Sequence, residues 1–495
     1  MTSTSNTKLL TRMAKHSSVY AVGTILRQLA GFLMLPIYTR LLTPADYGVI
    51  GMATFAIAIL EVFFGARLIQ AVPKYYFQFD TMKKKNSVIF SALLLTSTIS
   101  LLPLLGVVVY QVPLTNILLG DSEYSAIIAL FAVLLVTQPI ENYGMGFIRI
   151  QQKPFLFVGI SLLKLISQLS LNIFFVVYLK LGVFGVAYAS IISCLIFAGV
   201  LAVYTCLKTG INFDFSIAKK LIIFCWPLWV GSLAALYIGS ANRQYIRTFS
   251  TLEDVGLFEL AARFASLLTV LFWQPFSQYW GTERFNLQKR GDLKVFEPVS
   301  LLVVPLLMCA ALGIAIFSQT VIEIMAGPAF HPAHNAVPWL TAAAFFGCLN
   351  NYNNFGFLLA EKTKYISRIQ YFSALVATIC FFTLIPKYGY IGAALAAAIT
   401  NAVQLLITFR LATPYFNMQI NKLLLLAQLL IAAAIYSLSV HYTHASLAFS
   451  LLFKIVIYCV GVVALFAVNL AYKPAREYGL FILQLLLSKL KSVGN

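Results

Sequence analysis

Apolar stretches of about 20 residues follow one another along most of the chain, with short polar segments between them. A stretch of this length crosses the hydrocarbon core of a bilayer as a single helix. About fourteen such stretches are present, so the pattern predicts an all-α, polytopic membrane protein. The predicted spans lie near 16–38, 47–71, 87–110, 123–147, 155–178, 183–206, 219–241, 254–280, 296–318, 335–359, 366–385, 388–411, 422–440 and 449–471. After the last span, residues 477–491 carry apolar positions at helical spacing, and we expect this segment to lie on the membrane surface.

The composition excludes a soluble globular protein. Hydrophobic residues make up 60% of the chain and charged residues only 10%, whereas ordinary soluble domains carry about 25% charged residues. The predicted loops are too short to hold a soluble catalytic domain, so we expect no enzymatic activity. The seven cysteines lie far apart and without metal-ligand spacing, so we expect neither a metal ion nor another cofactor.

The basic residues are distributed unequally between the two sides of the predicted spans. Of the 35 Lys and Arg residues, 25 lie on the side of the N-terminus and six on the opposite side. An excess of positive charge is typical of the cytoplasmic loops of membrane proteins. The bias therefore predicts that both termini are cytoplasmic and that the number of spans is even. It also accounts for most of the net charge of +19, which is consequently no evidence for nucleic-acid binding.

The sequence repeats weakly at an offset of about 207 residues. The segment at 180–187 (KLGVFGVA) matches the segment at 387–394 (KYGYIGAA), and the residues before Gly48 match those before Gly256. Each match falls at the same place within its half of the chain. Such internal repeats are typical of transporters, which bind their substrates between the repeats.

This repeat predicts the domain organisation. Residues 1–206 and 207–412 are expected to form two pseudo-symmetric six-helix lobes, and residues 413–495 to carry two accessory helices and the amphipathic tail. Because six is an even number of spans, both lobes point the same way in the membrane. A substrate cavity is therefore expected between them.

Seven charged residues lie within the predicted spans. Each would cost about 2.5–3.5 kcal/mol at the centre of a lipid-exposed helix, so these side chains must face protein, water or a ligand. They are Arg27, Glu61, Arg67, Glu141, Lys164, Glu259 and Arg263. Four are basic and three acidic, and Arg243 and Arg247 add positive charge near the predicted outer mouth.

Two of the cations are candidates to bind substrate. Lys164 shares a helical stripe with Ser161, Gln168 and Asn172, and a polar stripe of this kind indicates a water-filled cavity. Arg27 lies midway along the first span, too deep to reach the membrane surface easily. We expect Arg27, Lys164, Gln168 and Asn172 to contact substrate. The alternative for both cations is a structural ion pair.

The acidic residues have two interpretations. Glu61, Glu141 and Glu259 are candidates to carry a coupling ion, or they form hydrogen bonds and ion pairs between helices. Arg263 follows Glu259 by one helical turn, so it is either a further substrate-binding cation or the partner of Glu259 in a local salt bridge.

Two segments resemble a known family. Residues 23–48 read GTILRQLAGFLMLPIYTRLLTPADYG and are similar to the opening of bacterial flippases of O-antigen and exopolysaccharide biosynthesis. Residues 254–264, DVGLFELAARF, look like the eighth span of the same family. These flippases belong to the multidrug/oligosaccharidyl-lipid/polysaccharide exporter superfamily. The resemblance covers the whole chain as two six-helix lobes and two terminal helices.

The resemblance implies a function in the bacterial inner membrane. Members of the family flip a polyprenyl-pyrophosphate-linked oligosaccharide from the cytoplasmic to the periplasmic leaflet by alternating access, for surface polysaccharide or lipopolysaccharide assembly. The implied partners are this lipid-linked glycan, membrane lipid and a polysaccharide polymerase. Arg27 matches a basic residue that the family tends to carry in the first span. The excess of cations in the spans suits a pyrophosphate.

Two other functions are alternatives. An ion-coupled exporter of drugs or small molecules belongs to the same superfamily, but an exporter of cationic drugs needs a net-acidic cavity. A membrane glycosyltransferase or polymerase is disfavoured because the chain has short loops and no acidic catalytic cluster.

Overall fold

The computed structural model describes residues 32–64, 68–441 and 447–472, together with Gly23 and Pro474. Within these residues all regular structure is helical. Ten of the described helices are long and apolar enough to cross a membrane. The predicted all-α, polytopic membrane fold is therefore confirmed, while the count of fourteen spans stays a prediction. The surface segment predicted at 477–491 lies outside the described residues.

The chain divides into two compact units. The first consists of Met1–Leu260, Met325–Phe330 and Ala374–Ala393, and the second of Ala261–Ile324, His331–Ser373 and Ala394–Asn495. The three-part division at residues 206 and 412 that the sequence repeat indicates stays a prediction.

The helices that begin in the first part of the chain, up to residue 252, are mostly long and apolar. They are α1 (Leu35–Leu41), α2 (Pro44–Phe64), α3 (Val72–Gln78), α4 (Met82–Val109), α5 (Gln111–Leu119), α6 (Ser125–Ala132), α7 (Leu134–Ile150), α8 (Pro154–Asn172), α9 (Gly182–Thr209), α10 (Phe215–Ser240), α11 (Asn242–Phe249) and α12 (Leu252–Leu267). Short π-helical segments continue α8 over Ile173–Tyr178 and α12 over Leu268–Trp273.

The remaining helices follow the same pattern. They are α13 (Gln274–Arg290), α14 (Phe296–Met325), α15 (Val337–Asn353), α16 (Phe355–Leu359), α17 (Thr363–Ala412), α18 (Lys422–His441) and α19 (Leu447–Ala471). Helix α17 is interrupted at Gly389, whose φ of 54° and ψ of −132° are not helical. This break separates two of the spans that the sequence predicts, 366–385 and 388–411.

Backbone geometry recurs at the offset of the sequence repeat. Gly182 and Gly389 lie 207 positions apart, and both adopt positive φ, of 56° and 54°. Glycine takes this conformation at little cost because it has no Cβ. Gln152 and Glu361, which lie 209 positions apart, also share positive φ, of 56° and 55°. The same turns therefore occur at corresponding points of the two halves.

Within the first unit, α2 and α12 cross at a reciprocal contact between their first turns. A Cβ added to Gly256 would overlap the carbonyl oxygen of Pro44, and a Cβ added to Gly48 would overlap the carbonyl oxygen of Leu252. The two backbones thus touch directly, which only residues without a side chain allow. The charge count predicts that these first turns lie at the external side of the membrane.

In the second unit, two sets of polar contacts tie the last helix, α19, to α14. Pro305 inside α14 has no N–H, so the carbonyl of Leu301 loses its helical partner. The side chain of Asn469 in α19 donates to that carbonyl at 2.8 Å. The buried Lys454 of α19 donates to Gln319 and Thr320 of α14, each at 3.0 Å. Helix α19 is therefore anchored at two levels of α14.

The orientation of these helices is a testable prediction. Single cysteines placed at the exposed positions Asp121 and Glu323, in a background without other cysteines, should react with an impermeant thiol reagent added to intact cells. A cysteine at the exposed position Lys84 should react only after the membrane is opened. The reason is the excess of basic residues on the side of Lys84. Labelling of position 84 in intact cells would contradict the predicted topology.

Candidate functional site

An ion pair connects two apolar helices of the first unit. The Nζ of Lys164 in α8 donates to the Oε2 of Glu141 in α7. The thiol of Cys194 in α9 lies 3.7 Å from that Nζ and 3.9 Å from the Oε2. The Lys164 side chain is 20% exposed, whereas the Glu141 side chain is only 4% exposed. Three helices thus meet at one charged cluster, whose cation is its more accessible member.

The polar stripe predicted on α8 also faces other helices. The Nε2 of Gln168 donates to the Oγ of Ser190 in α9 at 3.4 Å, and the hydroxyl of Tyr38 in α1 donates to the Oδ1 of Asn172 at 2.5 Å. The Nδ2 of Asn172 donates to the carbonyl of Gln168 at 2.7 Å. Ser161, which is buried, donates to a carbonyl of its own helix. The stripe therefore forms a ladder of hydrogen bonds from α8 to α9 and α1.

A second ion pair lies in the first unit, where Arg243 of α11 donates through Nε to Glu259 of α12. The Nη1 of Arg243 also donates to the carbonyl of Gly239 at 3.2 Å, and its guanidinium lies 5.9 Å from the ring centre of Phe258. A Cβ added to Gly51 of α2 would lie 2.6 Å from the Cγ of Glu259. Glycine at position 51 thus leaves room for the carboxylate between α2 and α12.

The next basic residue of α11 stabilises a neighbouring turn. Arg247 donates through Nε to the carbonyl oxygen of Leu119 at 2.9 Å, and its Nη2 donates to the same oxygen. Leu119 is the last residue of α5, where the carbonyls of a helix lack partners. Arg243 and Arg247 lie one turn apart on α11, so one helix face carries both cations.

The structure places the predicted site residues at several points. Lys164, Glu141, Gln168 and Asn172 come together along α8. Arg27 lies outside the described residues, as does Arg67.

The other predicted residues lie on α2 and α12. Glu61 is half-buried in the last turn of α2. Arg263 is half-buried in the part of α12 that belongs to the second unit. The pairing of Glu259 with Arg243 was not predicted, because the sequence suggested Arg263 as its partner.

The sequence matches a known protein family and a curated relative. The sequence model of a family described as "Polysaccharide biosynthesis protein" matches residues 37–335, well over half of the chain. The succinoglycan biosynthesis transport protein ExoT of Rhizobium meliloti (strain 1021) is 26% identical over 272 residues. That match covers 54% of this chain and 52% of the relative, so the chain matches about half the length of this curated protein.

Solved structures of membrane proteins share this architecture. The lipid II flippase MurJ in an inward closed conformation superposes with a TM-score of 0.67 at 14% identity, over 91% of this chain and 96% of the other. An inward-facing multidrug resistance transporter of the MATE family, in the MOP superfamily, gives a TM-score of 0.63 at 15% identity, over 80% and 94%. At these identities the likeness establishes the fold.

Proposed function

The chain belongs to the polysaccharide biosynthesis protein family, and we propose that it is a flippase for a polyprenyl-pyrophosphate-linked oligosaccharide. It moves the lipid-linked glycan from the cytoplasmic to the periplasmic leaflet of the inner membrane by alternating access. Both termini lie in the cytoplasm, and the translocated glycan passes to a polysaccharide polymerase.

The observation that carries this proposal is the ion pair between Lys164 and Glu141. A lysine and a glutamate within apolar helices are costly unless they pair, and such residues mark functional sites in membrane proteins. Lys164 is the more exposed partner, so an anionic group can approach its ammonium while Glu141 stays shielded. A pyrophosphate carries several negative oxygens and therefore competes well for this cation.

Exchange of partners at Lys164 links binding to conformational change. When phosphate oxygens bind Lys164, the buried Glu141 loses the counter-charge of Lys164, and a proton or a small cation can replace it. A ligand shifts a two-state equilibrium only through its different affinities for the two states. The competition at Lys164 provides such a difference, because the ion pair that fixes α7 to α8 is broken in the bound state.

The remaining candidates take supporting roles. Gln168 and Asn172 present amide groups along α8 that can exchange their present partners for sugar hydroxyls. Arg27 and Arg263 provide further cations for the pyrophosphate. Glu61 and Glu259 are additional coupling sites, and at Glu259 the competing cation is Arg243.

Deletion of the gene in its host tests this proposal. We expect loss of surface polysaccharide and accumulation of lipid-linked oligosaccharide that an impermeant glycosidase cannot reach in spheroplasts. Resistance to cationic dyes should stay unchanged, because a cationic substrate would be repelled by Arg27, Lys164 and Arg263. A plasmid copy should restore the surface glycan. The opposite pattern, with surface glycan intact and dye resistance lost, would favour the drug exporter.

A further inference from the structure

The second unit contains a cluster of aromatic residues around a basic side chain. Trp280 of α13 stacks on Tyr352 of α15, with ring centres 6.1 Å apart and ring planes 9° apart. One turn further along α13, the guanidinium of Arg284 lies 4.8 Å from the ring centre of Phe355. Trp280 and Tyr352 are only 4% and 1% exposed, and Arg284 is half-buried.

Three polar atoms of this cluster lack hydrogen-bond partners within the described part of the chain. They are the indole Nε1 of Trp280, the hydroxyl of Tyr352 and the Nε of Arg284. Trp280 and Arg284 lie one turn apart on α13, and Tyr352 stacks on Trp280, so the three side chains are neighbours. The neighbouring carboxylate of Glu283 accepts from Asn286 at 3.3 Å. Each buried unpaired group costs about 1–3 kcal/mol, so three in one place call for an explanation.

The chemistry of the three groups defines what would satisfy them. The indole N–H and the guanidinium N–H can only donate, and a phenol hydroxyl can donate as well. The ring of Phe355 stabilises the charge of Arg284 through its face but offers no lone pair to the Nε hydrogen. The missing partner is therefore an acceptor with several lone pairs and negative charge. A phosphate group has these properties and matches the planar donor fork of arginine.

We propose that Trp280, Arg284 and Tyr352 bind a phosphate-type oxyanion within the second unit. The position suits such a ligand, because residue 284 follows the predicted end of the eighth span near residue 280, at the side that the charge count predicts to be cytoplasmic. Inorganic phosphate from the cytoplasm and the headgroup of an anionic lipid share this chemistry. The site does not depend on the proposed flipping of a glycan and uses none of its residues.

Thermal stability of the purified full-length protein in detergent tests the site. Inorganic phosphate or added phosphatidylglycerol should raise the melting temperature, whereas chloride at matched ionic strength and a phosphate-free galactolipid should not. Stabilisation by phosphate alone assigns a free anion, and stabilisation by phosphatidylglycerol alone or by both assigns a site that accepts a lipid headgroup.

Three variants remove the donors, and Tyr352→Phe does so with little change of shape. Trp280→Phe, Tyr352→Phe and Arg284→Gln should each weaken the ligand response about tenfold or more, since hydrogen bonds to a charged group are involved. In the absence of ligand, Tyr352→Phe should keep its melting temperature, because it removes an unpaired buried hydroxyl. The two phenylalanine variants keep the test decisive if Arg284→Gln does not fold.

Two control variants complete the experiment. Tyr143→Phe removes a buried hydroxyl that pairs with the Oγ1 of Thr96 at 2.9 Å, so it should lower the melting temperature but keep the ligand response. Arg290→Gln removes an exposed cation of the same helix and should also keep the response. The proposal is overturned if neither ligand stabilises the protein, if chloride acts equally, or if the three site variants respond like the wild type.

Discussion

Lys164→Gln is expected to abolish delivery of surface polysaccharide and also to destabilise the protein. The substitution removes one partner of a buried ion pair, so Glu141 loses the counter-charge of Lys164, and such a loss costs up to about 3–5 kcal/mol. The double variant Glu141→Gln/Lys164→Gln removes both charges and should regain most of that stability. Transport should still be absent in the double variant, because it has no cation for the pyrophosphate. Complementation of the deletion strain and the melting temperature in detergent measure the two effects.

Matched variants separate a transport role from a structural one. Lys164→Arg keeps the charge and should retain part of the activity. Lys454→Gln alters another buried lysine, one that donates to the neutral side chains of Gln319 and Thr320 in the second unit, and should leave transport intact. Normal transport by a stable Glu141→Gln/Lys164→Gln variant would show that this ion pair only supports the fold.

Gly256→Ala is expected to disrupt the crossing of α2 and α12. The added methyl group would overlap the carbonyl oxygen of Pro44, which belongs to the backbone and cannot rotate away. Overpacking of this kind typically costs 1–3 kcal/mol, and we expect about 3 kcal/mol or more because backbone must move. Gly48→Ala should act similarly against Leu252. Melting temperature and yield in the membrane fraction measure the loss.

A glycine without close neighbours provides the control. A Cβ at Gly199 in α9 would have nothing within 4 Å, so Gly199→Ala should be neutral or stabilise by up to about 1 kcal/mol. Equal melting temperatures for Gly256→Ala and Gly199→Ala would contradict a direct backbone contact between α2 and α12.

The sequence predicts the fold better than the contacts of the site. Apolar run length fixes where helices cross a bilayer, so the all-α membrane fold could be predicted. Charge is rare within spans, so the sequence marks Lys164 as a candidate. Its pairing with Glu141, 23 positions earlier, depends on how α7 and α8 rotate against each other, which hydropathy does not encode.

The pairing of Glu259 also depends on how helices pack, and the sequence left open whether Arg263 pairs with Glu259 or binds substrate. Arg263 lies one turn away on the same helix, yet the ion pair forms with Arg243, because α11 brings that cation back against α12. The cluster around Trp280 was not predicted either, since aromatic residues in apolar spans usually indicate packing or lipid contact. The signal of this cluster is structural: buried polar atoms of Trp280, Arg284 and Tyr352 lack hydrogen-bond partners within the described residues.

The reciprocal contact of Gly48 and Gly256 has an evolutionary consequence. Gly48 packs on the carbonyl of Leu252, and Gly256 packs on the carbonyl of Pro44. Gly48 and Gly256 are 208 positions apart, and so are Pro44 and Leu252. One copy of the repeat therefore contains both sides of the contact, the small residue and the carbonyl that it meets. An isologous dimer interface has this property, in which each surface patch pairs with a second copy of itself. Under the predicted organisation as two six-span repeats, a single six-span copy would already possess the surface needed to dimerise here.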